Sequence, residues 1–244
     1  MLSALANKDT PTLFPDDPFL KRFSLLELPG IGHQAVVCEF AAAHYRPDLF
    51  DRFQVAMPAS LAGAQLARCA EYLAGRCAAR MALLLAGQPA VAPGRGATGE
   101  GLWPPGCRGA ISHHRDHALC VVSAQGLPGI DIEGWMSPAV CREVAGLVGN
   151  SAERRMFAEQ GVPDAEAVTL LFSTKESLYK ALFPLLQHYV DFLDVGLRRL
   201  IPERQCLELE LLRCQHAALR GQRFTVHWRR CERAVISYLC ASPG

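Results

Sequence analysis

The stretch AVTLLFSTKESLYKALFP, residues 167–184, has the pattern of a single amphipathic helix. Its apolar residues recur at helical spacing and form one stripe that can pack on a core: Ala167, Leu171, Leu178 and Leu182. We predict that the helix begins at Pro163 and Asp164, with the aspartate as its cap, because acidic side chains favour helix starts. We predict that it ends at Pro184, whose ring lacks an N–H and clashes with the preceding turn.

Three charged residues lie off this apolar stripe, namely Lys175, Glu176 and Lys180. Glu176 and Lys180 are one turn apart on the same side of the predicted helix. In most helices such residues form a solvated ion pair that contributes about a few tenths of a kcal/mol. A motif further upstream favours a different interpretation, in which the two residues belong to a site.

The upstream motif LPGIDIEGW, residues 127–135, alternates apolar and acidic side chains. In a strand, Asp131 and Glu133 point to one face while the two isoleucines point to the other. Two carboxylates on one strand face repel each other, so they usually need a cation or open water nearby. A third carboxylate from the helix, Glu176, would complete an all-oxygen site suited to Mg²⁺. The alternative is a strand end whose acids only face solvent.

These motifs, in this order and at this spacing, resemble those of the 4′-phosphopantetheinyl transferases, in particular the bacterial enterobactin synthetase component D group. The resemblance rests on GIDIE at 129–133 and on FSTKESLYKALFP at 172–184, and this pair of motifs is highly specific. Less specific matches extend it over about residues 65–185: AEYLAGRCAARMAL at 70–83, WPPG at 103–106 and ISH at 111–113.

The resemblance implies a fold and a domain organisation. We expect an α+β protein with the pseudo-twofold phosphopantetheinyl transferase fold, in which two similar subdomains each pack a mainly antiparallel sheet on a long helix. An N-terminal subdomain, residues 1–126, would bind the nucleotide of coenzyme A. A C-terminal subdomain, residues 127–244, would hold the metal site and the catalytic helix.

The resemblance also implies an activity. Such enzymes transfer 4′-phosphopantetheine from coenzyme A to a serine of an apo acyl, peptidyl or aryl carrier protein, depend on Mg²⁺, and release adenosine 3′,5′-bisphosphate. Asp131, Glu133 and Glu176 would then bind the metal ion. Glu176 would accept the proton of the carrier serine, directly or through water, and Lys180 would stabilise the leaving phosphate. Carriers of siderophore or fatty acid synthesis are both compatible with the motifs.

Binding of coenzyme A is assigned by the same resemblance to a set of polar and basic residues: Arg68, Arg76, Ser112, His113, Lys175 and Lys180. His113 of the ISH motif would lie beside the 3′-phosphate, which favours a charged imidazole and a strong hydrogen bond. The chain departs from the family pattern at Gly101, where a proline is usual, and at Ala110, where a serine is usual. Both departures concern the nucleotide side of the predicted site.

Two other classes of function remain open on the sequence alone. A Mg²⁺-dependent coenzyme A pyrophosphohydrolase would use the same carboxylates to activate water. A non-catalytic module that binds coenzyme A or a carrier protein would need the fold but not the acids. The joint presence of the three carboxylates and Lys180 argues against such a binding module.

Composition excludes several other classes of protein. The chain has 244 residues, 50% of them hydrophobic, with 25 Lys and Arg against 24 Asp and Glu, so no overall charge indicates nucleic acid as a partner. No apolar stretch approaches about eighteen residues, and no secretory signal is visible, so we expect no membrane span. Ten cysteines without a C-x-x-C pair indicate reduced thiols in the cytoplasm. The motif HHRDH at 113–117 lacks the features of a zinc site. We expect the protein to be a monomer.

Periodicity and turn residues predict the remaining elements. We predict an irregular segment over 8–32, a helix from a cap at Ser60 to Leu85 with Gly87 as its stop, and a helical region over 137–160. The predicted strands are 34–40, 110–113, 117–123, 207–212, 224–228 and 234–239.

Overall fold

The computed structural model describes residues 2–4 and 13–242, and the chain divides into two compact units, Met1–Gly126 and Leu127–Gly244. Each unit combines a five-stranded antiparallel sheet with one long helix that packs on it. The predicted α+β class, with two similar halves of this kind, is therefore confirmed. Residues 5–12 lie outside the described residues. They belong to the N-terminal segment in which we predict no secretory signal, and 8–12 also belong to the segment predicted to be irregular.

The first unit is built around a sheet with the strand order β1-β2-β3-β7-β6. Its strands are β1 (Leu2–Ala4), β2 (Leu20–Leu28), β3 (His33–Phe40), β6 (Arg108–His114) and β7 (His117–Ser123), and a small hairpin pairs β4 (Gly94–Arg95) with β5 (Gly101–Leu102). Its helices are the short α1 (Leu49–Arg52) and the long α2 (Leu66–Leu85). Helix α2 packs on β3 and β7, and its many small buried residues allow a close approach to the sheet.

The second unit has the strand order β8-β12-β11-β10-β9. Its strands are β8 (Leu127–Gly134), β9 (Val195–Ile201), β10 (Cys206–Leu211), β11 (Arg223–Arg230) and β12 (Ala234–Ala241). Its helices are α3 (Pro138–Val148), α4 (Ser151–Ala158) and α5 (Asp164–Leu186). Helix α5 packs on β8 and β12, while α3 and α4 pack against α5.

Helix α5 matches the predicted central helix, with differences at both ends. The predicted apolar stripe is confirmed, because all four of its members are at most 1% exposed. The predicted end at Pro184 is wrong: the helix continues to Leu186, since a proline in the last turn removes only one hydrogen bond. Gln187 then ends the helix in the left-handed region with φ 53°. The predicted cap is also wrong, because the Asp164 carboxylate binds Arg154 at 3.1 Å instead.

The other predictions were mostly correct within a few residues. Strand β3, the hairpin of β6 and β7, and the strands β10, β11 and β12 are confirmed, and the helical region over 137–160 consists of α3 and α4. The irregular segment over 8–32 was wrong where β2 lies, because Ser24, Leu26 and Leu28 alternate as inward residues. Helix α2 ends as predicted but begins at Leu66, and Ser60 lies in a preceding 3₁₀ turn.

Candidate functional site

The predicted metal strand and the predicted catalytic helix touch each other in the second unit. A Cβ placed on Gly129 of β8 would lie only 2.0 Å from the carbonyl oxygen of Ser177 on α5. Only glycine allows this approach of helix and strand, since real Cβ atoms do not come so near to another heavy atom. Alternation along β8 then puts Asp131 and Glu133 on the same face as Gly129, the face that α5 covers.

One ion pair links the two elements directly. The Lys180 ammonium of α5 donates a hydrogen bond to Asp131 Oδ1 of β8 at 2.6 Å. The Asp131 side chain is 2% exposed, whereas that of Lys180 is 25% exposed. A charge-assisted hydrogen bond of this length fixes the position of the ammonium, while its exposure leaves it accessible to a ligand.

The remaining two predicted carboxylates lie in the same electrostatic neighbourhood. The pKa of Glu133 is raised to about 7, mainly by burial and also by the charges of Asp131 and Glu176, while Lys180 acts in the opposite direction. Burial also raises the pKa of Glu176, again with opposite contributions from Lys180 and Asp131. The structure therefore gathers three acids and one ammonium into one charged cluster, the carboxylate cluster: Asp131, Glu133, Glu176 and Lys180.

Two buried serines lie beside this cluster, and the sequence analysis missed both. Ser237 pairs with Asp131 across β12 and β8, and its hydroxyl donates to the Ser173 carbonyl at 2.7 Å. The Ser173 hydroxyl in turn donates to Ser237 Oγ at 2.8 Å. Both serines are fully buried. A lone serine within the apolar run of β12 was the only available signal, and its partner could not be known without the fold.

A cleft opens beside Glu176 in the second unit. Its lining is mainly apolar and aromatic: Tyr179, Leu182, Tyr189, Val190, Phe192 and Leu211. Tyr189 is 65% exposed and stacks edge-on against Tyr179 at 5.8 Å between ring centroids. The charged cluster thus borders a small cleft with a mainly apolar lining.

Lys175 lies in a different environment from the one the resemblance implies. Its ammonium is buried, 2.9 Å from Glu153 Oε1, and it also donates to the carbonyls of Val148 and Phe192 at 3.0 Å each. All three of its N–H groups therefore have protein partners. The geometry does not favour the predicted contact between Lys175 and coenzyme A.

In the first unit, Arg68 and His113 lie together at one end of the sheet. Arg68 Nη1 lies 2.7 Å from His113 Nε2, so the arginine donates and the imidazole nitrogen accepts. Glu71, which the sequence analysis missed, lies 3.5 Å from both side chains. Its position three residues after Arg68 on α2 was the available signal. Ser112, the neighbour of His113, is buried on β6.

Arg76 is buried under the glycine-rich segment that follows α2. Its guanidinium lies 4.5 Å from the ring centre of Tyr72 and donates to the Gly94 carbonyl at 3.3 Å. Its Nε is buried without a hydrogen-bond partner, and no carboxylate pairs with it among the described residues. A buried cation in this state has the capacity to bind an anion.

Gly101, where the chain departs from the family pattern, lies against Trp103. A Cβ at this position would lie 2.8 Å from Nε1 of Trp103, whose indole also covers Gly109. A larger residue at position 101 would require this ring to shift. The tryptophan of the WPPG motif therefore folds back on its own hairpin.

The described part of the chain contains neither a ready metal site nor a membrane-spanning helix. Between residues 13 and 242 and in 2–4, no three Asp, Glu, His or Cys side chains are grouped so that they could hold an ion as they stand. Over the same residues, no helix is long and apolar enough to cross a membrane. All ten cysteines, each within the described part of the chain, are free thiols.

Comparison with known proteins identifies the family. A model described as the 4′-phosphopantetheinyl transferase N-terminal domain matches residues 57–123, and one described as the 4′-phosphopantetheinyl transferase superfamily matches residues 128–232. Enterobactin synthase component D of Escherichia coli is 34% identical over 213 residues, which is 87% of this chain and 95% of that protein. The chain belongs to the 4′-phosphopantetheinyl transferase superfamily. The predicted resemblance to this enzyme family is confirmed.

Two further relatives of this transferase superfamily show how the similarity is distributed. Enterobactin synthase component D of Salmonella typhimurium is 41% identical over 154 residues, and this match spans 63% of the chain and 64% of that protein. The 4′-phosphopantetheinyl transferase Npt of Nocardia iowensis is 27% identical over 140 residues, 50% of the chain and 55% of that protein. The superfamily match at 128–232 contains the whole carboxylate cluster.

Proposed function

We propose that this protein transfers 4′-phosphopantetheine from coenzyme A to a serine of an apo carrier protein. The observation that carries the proposal is the carboxylate cluster, in which Lys180 contacts Asp131 at 2.6 Å beside Glu133 and Glu176. Phosphoryl transfer needs little covalent chemistry from the enzyme. It needs positioned groups that accept a proton and compensate charge, and this cluster supplies both kinds.

Each residue of the cluster has a distinct role in the proposed reaction. The serine oxygen attacks the phosphorus that carries pantetheine, and the bond from this phosphorus to the bridging oxygen on the adenosine side breaks. The serine proton passes to Glu176, directly or through water. Lys180, which Asp131 holds in place, stabilises the charge that develops on the leaving adenosine 3′,5′-bisphosphate.

The donor set of the cluster fits a magnesium ion. Asp131, Glu133 and Glu176 provide only carboxylate oxygens, which are the ligands that Mg²⁺ prefers, and their mutual repulsion favours a cation. Bound there, Mg²⁺ would neutralise charge on the pyrophosphate of coenzyme A. A metal ion on Asp131 would share this carboxylate with Lys180, so the residues would have to shift when it binds.

The other features of the chain fit coenzyme A as the donor substrate. We assign the 3′-phosphate to His113 and Arg68, with Ser112 nearby, and we keep Arg76 as a further anion-binding candidate. The cleft beside Glu176 has the partly apolar lining that suits the pantetheine arm. The relatives named as enterobactin synthase components support a carrier domain of such a synthase as the acceptor. The ten free thiols support a reducing compartment such as the cytoplasm.

Mass spectrometry of an apo carrier protein tests the proposal directly. With coenzyme A, Mg²⁺ and the enzyme, the carrier should gain one phosphopantetheine group on its serine, and adenosine 3′,5′-bisphosphate should appear in equal amount. Cleavage of coenzyme A without a carrier would instead identify a pyrophosphohydrolase. The absence of any reaction with acyl, peptidyl and aryl carriers would contradict the proposal.

Lys180→Ala is expected to lower turnover more than it weakens coenzyme A binding. Charge on the leaving phosphate grows in the transition state, so the ammonium contributes most there. We expect kcat to fall by about a hundredfold or more, with little change in KM for coenzyme A. Lys21→Ala, which removes an exposed lysine of β2, is the control and should leave both constants unchanged. If only KM changes, Lys180 contacts coenzyme A in the ground state and contributes nothing more in the transition state.

His113→Ala is expected to weaken binding of coenzyme A but not of its 3′-dephospho form. The lost contact is one charge-assisted hydrogen bond, so KM for coenzyme A should rise by about tenfold. The dephospho substrate never makes this contact, and its KM should barely change. His33→Ala serves as the control, because His33 contacts Ser123 at the opposite end of the same sheet. If the ratio of the two KM values is the same in wild type and variant, the 3′-phosphate does not bind at His113.

A further inference from the structure

A buried ion pair in the second unit has no role in the proposed reaction. Lys175 of α5 and Glu153 of α4 lie 2.9 Å apart, and their side chains are 1% and 4% exposed. Burying two charges is costly unless their hydrogen bonds are also satisfied. The pair lies directly beside the catalytic candidate Glu176, which follows Lys175 in the chain.

The hydrogen bonds of this pair reach four backbone groups of the unit. Lys175 donates to the Val148 carbonyl at the end of α3 and to the Phe192 carbonyl. Glu153 accepts from the Leu197 amide of β9 and from the Asn150 amide before α4, each at 2.8 Å. Because an apolar side chain offers no donors or acceptors, it could not replace either partner without leaving these backbone groups unsatisfied.

The Phe192 carbonyl belongs to one wall of the cleft beside Glu176. This wall is the segment 189–192, which we call the cleft wall, and Glu176 of α5 lines the same cleft. The Phe192 ring also stacks on Phe172 of α5, with 5.1 Å between ring centroids. Lys175 and Phe172 thus tie the cleft wall to the helix that carries Glu176.

We propose that Lys175 is a positioning residue, which acts with Glu153 to fix the cleft wall at a set distance from Glu176. Its ammonium does not contact coenzyme A, in contrast to the role that the family resemblance implies. The proposal rests on the proposed function, because that function gives Glu176 and its cleft their role. It changes only the task assigned to Lys175.

Chemical labelling of the wild-type protein tests the buried position without any activity measurement. Reductive methylation followed by mass spectrometry compares Lys175 with Lys180 and Lys21. Lys175 should stay unmodified with and without coenzyme A, whereas Lys21 is modified in both states and Lys180 is modified when coenzyme A is absent. Modification of Lys175 that coenzyme A prevents would overturn the proposal.

Glu153→Gln tests the positioning role while leaving Lys175 in place. Misplacement of the cleft wall should lower kcat by about tenfold or more, while KM for coenzyme A changes by less than about threefold. Leu207→Ala is the matched control, because it removes fully buried side-chain atoms of β10 and should lower Tm by a comparable amount of roughly 10 °C. Its kcat, measured well below Tm, should stay within about twofold of wild type. Equal kcat values in both variants would reduce the pair to a stabilising contact and overturn the proposal.

The double variant Lys175→Met with Glu153→Gln covers the case in which a single change fails to fold. Lys175→Met alone leaves a buried carboxylate unpaired and two carbonyls without their donor, so Tm should fall by roughly 10 °C. The double variant should recover only the part of this loss that the unpaired charge causes. If Lys175 only positions the wall, the double variant should bind coenzyme A within about threefold of wild type. A larger loss of affinity for coenzyme A in the folded double variant would show that Lys175 binds coenzyme A. Wild-type transfer activity, measured in parallel, separates this outcome from failure of the proposed function.

Discussion

Asp131→Ala is expected to lower the rate of transfer by about a thousandfold or more. The change removes one of three anionic groups proposed to bind Mg²⁺, and it also releases Lys180 from its 2.6 Å contact. The protein should stay folded, because Lys180 is partly exposed and can turn to water. Loss of Asp131 also removes a charge that repels Glu133, which limits the cost to stability.

The measurement is transfer to an apo carrier over a series of Mg²⁺ concentrations, with circular dichroism as the check on folding. Glu133→Ala should give a loss of the same order. Glu210→Ala is the matched control. Glu210 lies on β10, which β12 and β11 separate from β8, and its carboxylate binds Arg198 and Arg223. That variant should keep the wild-type rate. A near-normal rate for Asp131→Ala or Glu133→Ala would remove that residue from the proposed metal site.

The central helix and the metal strand could be predicted because local pattern and tertiary packing agree there. The apolar stripe of α5 is the face that the core buries, and the alternation of β8 separates its isoleucines from its acids. Neither feature depends on a distant part of the chain. The ends of α5 were less predictable, since a proline in the last turn costs one hydrogen bond and packing can offset that loss.

The basic residues of α2 and α5 show what the sequence could not reveal. Helical spacing gives the direction of Lys175 and Arg76, but it does not reveal which later segment covers them. The family resemblance assigned Arg76 to coenzyme A, but it did not reveal that the segment after the helix folds back so that Gly94 accepts a hydrogen bond from Arg76. Lys175 looked like a ligand for coenzyme A, yet Glu153 from another helix encloses it. Burial of a charged residue depends on such tertiary partners.

Gly129→Ala is expected to have the second large effect, on stability and activity together. The new Cβ would lie 2.0 Å from the Ser177 carbonyl, 2.9 Å from Leu239 and 3.0 Å from Ala181, so α5 and β8 must separate. A backbone carbonyl cannot turn away as a flexible side chain can. We expect a loss of about 3 kcal/mol in the free energy of unfolding, at the upper end of the usual cost of overpacking.

Separation of the two elements should also disrupt the carboxylate cluster. Asp131 is on the strand and Lys180 is on the helix, so a shift of about 1 Å between them would lower the transfer rate by roughly a hundredfold. The measurements are unfolding in urea and transfer to an apo carrier at a temperature where the variant is folded. Loss of rate without loss of Mg²⁺-dependent binding would place the damage at Lys180 rather than at the carboxylates.

Gly146→Ala is the control for the glycine itself. Gly146 is an exposed residue within α3, and a Cβ there would meet no atom within 4 Å. Alanine should therefore stabilise the protein by about 0.5–1 kcal/mol, because glycine loses more backbone entropy on folding, and the transfer rate should not change. Similar behaviour of the two alanine variants would contradict the role of Gly129. A stable, fully active Gly129→Ala protein would mean that the helix and strand do not need this close contact to bring the catalytic groups together.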